Sequence, residues 1–97
     1  MEKHTVIKIR SRVNGSVKIE IKTEKEFSEV KFAVKKDGDF RVVKEYSVAP
    51  TITFCGDCFI EKPQLWTLSS PELYEYIAEI TYSDGEHEVF GGKFGFR

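Results

Sequence analysis

Cys55 and Cys58 form a C-x-x-C within "FCGDCF", and this is the spacing at which two thiols can act as a redox pair or as half of a zinc site. The redox reading needs the motif to open a helix whose dipole lowers a thiol pKa, and here it sits in a β pattern. The zinc reading needs further ligands, and the two histidines, His4 and His87, stand at opposite ends of the sequence without ligand spacing. In an extended run Cys55 and Cys58 point to opposite faces, so two free thiols are expected, and with them a reducing compartment. The 16 acidic residues are scattered over outward strand positions and turns. "FGGKFGF", residues 90–96, has glycines but lacks the Lys-Ser or Lys-Thr and the helix of a phosphate loop. No catalytic, cofactor-binding or metal-ligating residue is assigned.

The elements that must position any site are strands. "SVKIEIKTE", "FSEVKFAVKK" and "YEYIAEITY" alternate apolar with polar residues, the pattern of a strand with one face on a core. Ile7 and Ile9 mark a first strand over about Thr5 to Val13, residues 40–48 a fourth, "TITF" a fifth and "HEVFGGKFGF" a last. Asn14-Gly15, Asp37-Gly38 and Asp84-Gly85 are hairpin-turn dipeptides, and "FCGDCF" suggests a bulge or local bend near Gly56. "PELYEYIAEI" comes nearest to a helical period but is aromatic-rich and reads as a strand. These runs predict an all-β, antiparallel, immunoglobulin-like sandwich of about seven strands, filling residues 1–97 as one domain.

At 97 residues and 11.2 kDa the chain holds a two-layer core and is far shorter than a (β/α)₈ barrel, which needs about 250 residues. Its net charge of -1 points to neither nucleic acid nor an anionic membrane as partner. The N-terminal "MEKHTVIKIRSRV" breaks every apolar stretch with Lys or Arg, so it reads as neither signal peptide nor membrane span. A soluble chain is expected, with cytoplasmic placement favoured.

"EKPQLWTLSSPELYEY", residues 61–76, places two of three prolines and the only tryptophan between two strand patterns. Pro63 and Pro71 withhold backbone donors and hold their predecessors extended, so the crossover runs stiff and irregular. Leu65, Trp66 and Leu73 give it an apolar face. Trp66 then closes the end of the sandwich or stacks on a neighbouring domain; a sugar-stacking platform is the rival reading.

"KPQLWTLSSPELYEYIAEI" resembles the Asn-Pro-x-Leu-Trp-Ser-(…)-Pro-x-Leu-Tyr segment of the middle, immunoglobulin-like domain of glycoside hydrolase family 2 enzymes. That family includes β-galactosidases, β-glucuronidases and β-mannosidases. The closing "KFGFR" is similar to the Phe-Gly-Phe-Arg or Phe-Gly-Ile-Arg that ends the domain. Lys62 stands where the family usually has Asn, and Thr67 where it usually has Ser. The resemblance implies a non-catalytic accessory domain, excised from a larger multidomain enzyme, between a jelly roll and a catalytic (β/α)₈ barrel. Family acid/base glutamates follow an asparagine, and the only asparagine here, Asn14, precedes Gly15; retaining hydrolysis needs two carboxylates roughly 5 Å apart. Pro63, Leu65, Trp66, Pro71, Leu73, Tyr74, Gly95, Phe96 and Arg97 are the expected structural or interdomain-contact residues, with the region of Leu65, Trp66 and Phe96 as the contact surface and Arg97 facing a carboxylate of the next domain. The alternative is a stand-alone fibronectin-type or carbohydrate-binding module.

Overall fold

The computed structural model describes residues 5–97, so Met1 to His4, including the His4 weighed above as a ligand, lie outside it. Five antiparallel strands form: β1 (Val6–Ser11), β2 (Ser16–Lys36), β3 (Asp39–Phe59), β4 (Tyr74–Tyr82) and β5 (His87–Phe94). There is no helix among the described residues. The three Gly-containing dipeptides make the three hairpin turns. Asp37 and Gly38, with φ of 53° and 85°, form the two-residue connection of β2 to β3.

β2 organises the rest. Its first half pairs with β1 from Val17 to Lys22, and its second half pairs with β4 from Phe27 to Lys35. β3 runs along the other edge of both halves, and β5 extends the sheet beyond β4. At about 3.3 Å per residue, 21 extended residues would span roughly 70 Å, yet the longest dimension of the molecule is 45 Å. The strand must therefore fold over. It does so at register breaks between Lys22 and Phe27 and between Phe27 and Glu29. Val17, Ile19 and Ile21 point into the core before the break, and Val30, Phe32 and Val34 after it. The inward set changes from odd to even because the extra residues of the bulge shift the alternation. Both sets join Ala78, Ile80, Tyr82 and Phe96 in one buried cluster, so the two halves face each other as the layers of a sandwich.

The expected seven strands are thus five. The second and third runs of the sequence are one strand, and so are the fourth and fifth. Neither "KTEKEF" nor "SVAPTI" carries a turn dipeptide, so the chain changes layer without reversing. Pro50 sits in the matching register break of β3, where no ladder donor is required. The expected bulge near Gly56 is absent: Gly56 pairs regularly with Ile19. Its missing side chain instead leaves room for Phe54 and Tyr46, whose rings are 4.9 Å apart. Cys55 is exposed and Cys58 buried, both as free thiols, and burial raises the Cys58 pKa.

Gly15 locks the β1–β2 turn to the end of β3. Its φ is +100°, its carbonyl accepts a bond from the Ile60 amide at 2.8 Å, and a Cβ at this position would lie 2.1 Å from the Ile60 oxygen. Gly15→Ala is therefore expected to lower stability by about 1–3 kcal/mol through backbone strain alone, with the overlap adding to it. A fall in the urea midpoint measures this; an unchanged midpoint would show that the turn is not locked.

Candidate functional site

One end of the sandwich gathers the close of β1, the start of β2, the β2–β3 turn, the crossover of residues 61–73 and the chain's last residues. The crossover holds that last segment as a clasp. Leu65 bridges to Phe96 in parallel, and the Trp66 amide donates to the Phe96 carbonyl at 2.7 Å. From the other side, the Ser11 hydroxyl donates to the Gly95 carbonyl at 2.7 Å. Gly95 is needed because Trp66 lies against it: a Cβ there would stand 3.1 Å from the Trp66 Cβ and 3.3 Å from the Glu72 carbonyl oxygen. The Arg97 guanidinium lies 4.8 Å from the centre of the Trp66 ring, a cation–π contact.

Aromatic packing fixes the clasp from below. Phe96 and Tyr74 are buried, with rings 5.0 Å apart edge to face, and Phe94 packs on both. The buried Tyr74 hydroxyl accepts the Gln64 amide at 2.9 Å, which satisfies a polar atom that burial would otherwise penalise. The Thr67 and Ser70 backbones bond reciprocally, closing the tip of the crossover.

A buried cation ties the clasp to the sheet. Lys36, only 5% exposed, donates to Glu72 at 2.7 Å and to the Leu73 carbonyl at 3.2 Å, and lies over the Tyr74 ring. Its hydrogen bond to Glu72 raises the Lys36 pKa against the opposing effect of burial. The same bond, with a second from Ser70, lowers the pKa of Glu72. Sequence reasoning missed both residues, since Lys36 sits beside a turn where a solvated lysine is the default. The available signal was its place in the alternation, in step with Phe32 and Val34.

The expected site residues divide by exposure. Pro63 and Trp66 are half-buried, and Gly95 lies under Trp66. Phe96 and Tyr74 belong to the domain's own core, so Phe96 offers no surface to a neighbour. The outward apolar residues of the crossover are Leu65, Leu68 and Leu73, with Leu68 91% exposed, and Pro71 is exposed beside them. Leu68 was passed over because it sits among Thr, Ser and Ser. The Trp66 ring, with Arg97 across it, is not the bare platform that a stacked sugar requires. Arg97 is exposed and meets that ring within its own domain. Among the described residues no group of three or more His, Cys, Asp or Glu is placed to hold a metal ion.

Two measurements probe the clasp. Lys62 has a φ of 50°, in the left-handed region that Asn tolerates better than Lys, so Lys62→Asn is expected to raise stability by about 0.5–1 kcal/mol; an unchanged or lower melting temperature contradicts this. Because the folded pKa of Glu72 is lowered, its contribution is present above the ordinary carboxylate pKa and is lost as pH falls through the folded value. Glu72→Gln should therefore flatten the acid limb of stability against pH. An acid limb identical to that of the parent sequence would remove Glu72 from the account.

The model for glycosyl hydrolases family 2 matches residues 3–97. Among solved structures, the chain is similar to Bacteroides uniformis β-glucuronidase 3, with 24% identity and a TM-score of 0.72 over 97% of this chain and 12% of that one. It is similar to the Parabacteroides merdae β-glucuronidase at 19% identity and a TM-score of 0.69, covering 99% of this chain and 14% of that one. For the Bifidobacterium dentium β-glucuronidase complexed with coumarin-3-O-glucuronide the identity is 15% and the TM-score 0.72, over 99% and 17% of the two chains. No curated protein matches. The chain therefore spans less than a fifth of these relatives and shares the fold of one of their parts. It belongs to glycosyl hydrolases family 2, as that family's immunoglobulin-like domain.

Proposed function

We propose that this domain is a non-catalytic accessory part of a larger family 2 glycoside hydrolase, and that it sets the position of the catalytic (β/α)₈ barrel relative to a sugar-binding-like jelly roll. The observation that carries this reading is the clasp. It holds Gly95 to Arg97 against the sandwich on two sides, so a chain continuing from Arg97 leaves in a fixed direction. The same crossover turns Leu65, Leu68 and Leu73 outward, apolar surface of the kind that an adjoining domain covers.

At the clasp itself the carboxylate of Glu72 is engaged by Lys36, which lowers its pKa and makes it a structural partner of the sheet. The parent is read as a β-galactosidase-like hydrolase, in which the barrel carries the catalytic glutamates and the sugar specificity.

The test uses the parent enzyme and the domain together. Leu65→Glu with Leu68→Glu in the parent should split one thermal transition into two and lower kcat/KM for an aryl β-glycoside severalfold. Trp66→Ala should loosen residues 95–97, with backbone order parameters falling from about 0.85 to below 0.6. The 97-residue chain alone should release no nitrophenol from β-galactosides, β-glucuronides or β-mannosides. Turnover by the isolated chain, or a double-glutamate parent with unchanged melting and kinetics, would overturn the proposal.

A further inference from the structure

The outer face of the layer formed by β2, β4, β5 and the first half of β3 is patterned in a way that the accessory role does not use. Along β2 it presents Lys31, Ala33 and Lys35, and along β4 Glu79, Ile77 and Glu75. These residues pair level by level, Lys31 with Glu79, Ala33 with Ile77 and Lys35 with Glu75. Within one copy Lys31 reaches Glu45 at 3.8 Å, an exposed and loose contact, and Lys35 lies over the Phe40 ring. Glu75 and Glu79 have no ion-pair partner among the described residues. Val43 is 48% exposed and Val89 66% exposed on the flanking strands.

We infer that this face is the contact between two copies of the chain, related by a two-fold axis parallel to the strands in the gap between β2 and β4. Such a rotation lays β2 of each copy over β4 of the other. At the two outer levels it sets unlike charges together: Lys31 meets Glu79, and Lys35 meets Glu75. In the centre Ala33, only 6% exposed beneath its neighbours, is too small to hold the two faces apart, and Ile77 of the other copy lies over it. On the flanks Val43 falls over Gly91, and Phe40 falls over Lys93, a second cation–π pairing. The complementarity is internal to the face, since the lysine row and the glutamate row keep the same register across one axis. Opposite charges facing across neighbouring strands already suit one chain, and an isologous dimer uses the same match a second time across its axis, which an unrelated partner would not.

The size of the contact sets its strength. Four strands about 4.8 Å apart and three levels about 6.8 Å apart give roughly 400 Å² per copy, below the usual range for specific interfaces. A weak dimer follows, dependent on salt because its specificity lies in ion pairs. A groove of about 310 Å³ among Glu29, Glu45, Glu79 and His87 at one end of the face remains open to solvent between the twisted sheets. The inference stands apart from the accessory role, for a domain that positions a barrel can do so as a monomer or as a dimer.

Sedimentation equilibrium of the 97-residue chain between about 10 μM and 1 mM tests it. At low salt a monomer–dimer equilibrium is expected, at least tenfold weaker in 0.5 M salt. Lys31→Glu with Lys35→Glu leaves both central rows of the face acidic, and Glu75→Lys with Glu79→Lys leaves both basic. Each variant should be monomeric alone, while an equimolar mixture should form a one-to-one heterodimer. Adding Ala33→Gln to both chains should abolish that heterodimer by filling the centre. Circular dichroism and melting check that each variant is folded; all four charge changes lie on the outer face. A chain that is monomeric at 1 mM, a dimer indifferent to either charge reversal, or a mixture that stays monomeric would each overturn the inference.

Discussion

The constraint on which the structure depends is that β2 must present an apolar face to one core from both of its halves while changing layer between them. An uninterrupted alternation cannot meet it: once the strand bends over, the same parity would turn one half outward. The register breaks between Lys22 and Glu29 supply the shift, so that Val17, Ile19 and Ile21 oppose Val30, Phe32 and Val34. β3 follows the same bend along the other edge of β2, using Pro50 where its ladder is already broken. β1 and β4 then take successive stretches of one edge of a single strand.

Each end of this bent sheet is closed by a lysine. At the end bearing the β4–β5 turn, Lys25 reaches Asp84 and Glu86 at 2.7 and 2.6 Å and lies over the Tyr82 ring. Those bonds raise its pKa, yet the partners are exposed and water competes for them. At the clasp, Lys36 is enclosed, and removing Glu72 would leave a cation with little water to replace it. The two ends therefore differ in how far water competes with the lysine for its partners, and the shielded lysine is at the end that holds Gly95 to Arg97.

Much of this architecture was legible in the sequence. Each strand pattern, the three hairpin dipeptides and the opposed directions of Cys55 and Cys58 follow from alternation and turn chemistry. The count of seven strands did not survive, although the information was present: three turn dipeptides and one proline-rich crossover make four connections, hence five strands. Gly56 was misread because a glycine in a strand has two physical uses, a bulge or room for a neighbour, and only the packing of Phe54 and Tyr46 decides between them. Phe96 was grouped with the contact surface because the sequence alone does not show that the crossover folds back over the final segment. Lys36 was missed for the converse reason, since a charge at an inward position becomes intelligible only once Glu72, far along the chain, is seen beside it.

The motifs by which the sequence resembles the family lie in the clasp, although the family model matches residues 3–97, and the physics of the two regions accounts for where a motif is readable. An inward strand position accepts Val, Ile, Phe or Ala with modest repacking, so the sheet can be written in many sequences. The clasp is less permissive at each point. The position of Lys62 has a left-handed φ, which favours the asparagine that the family usually places there. A Cβ on Gly95 would press on Trp66 from 3.1 Å, and the Tyr74 hydroxyl receives the Gln64 amide. Phe96 must be large and apolar to pack between Tyr74 and Phe94. Positions that admit few residue types yield a readable motif. Here they are also the positions that hold the final segment in place, so the readable part of the sequence and the part that would orient a neighbouring domain coincide.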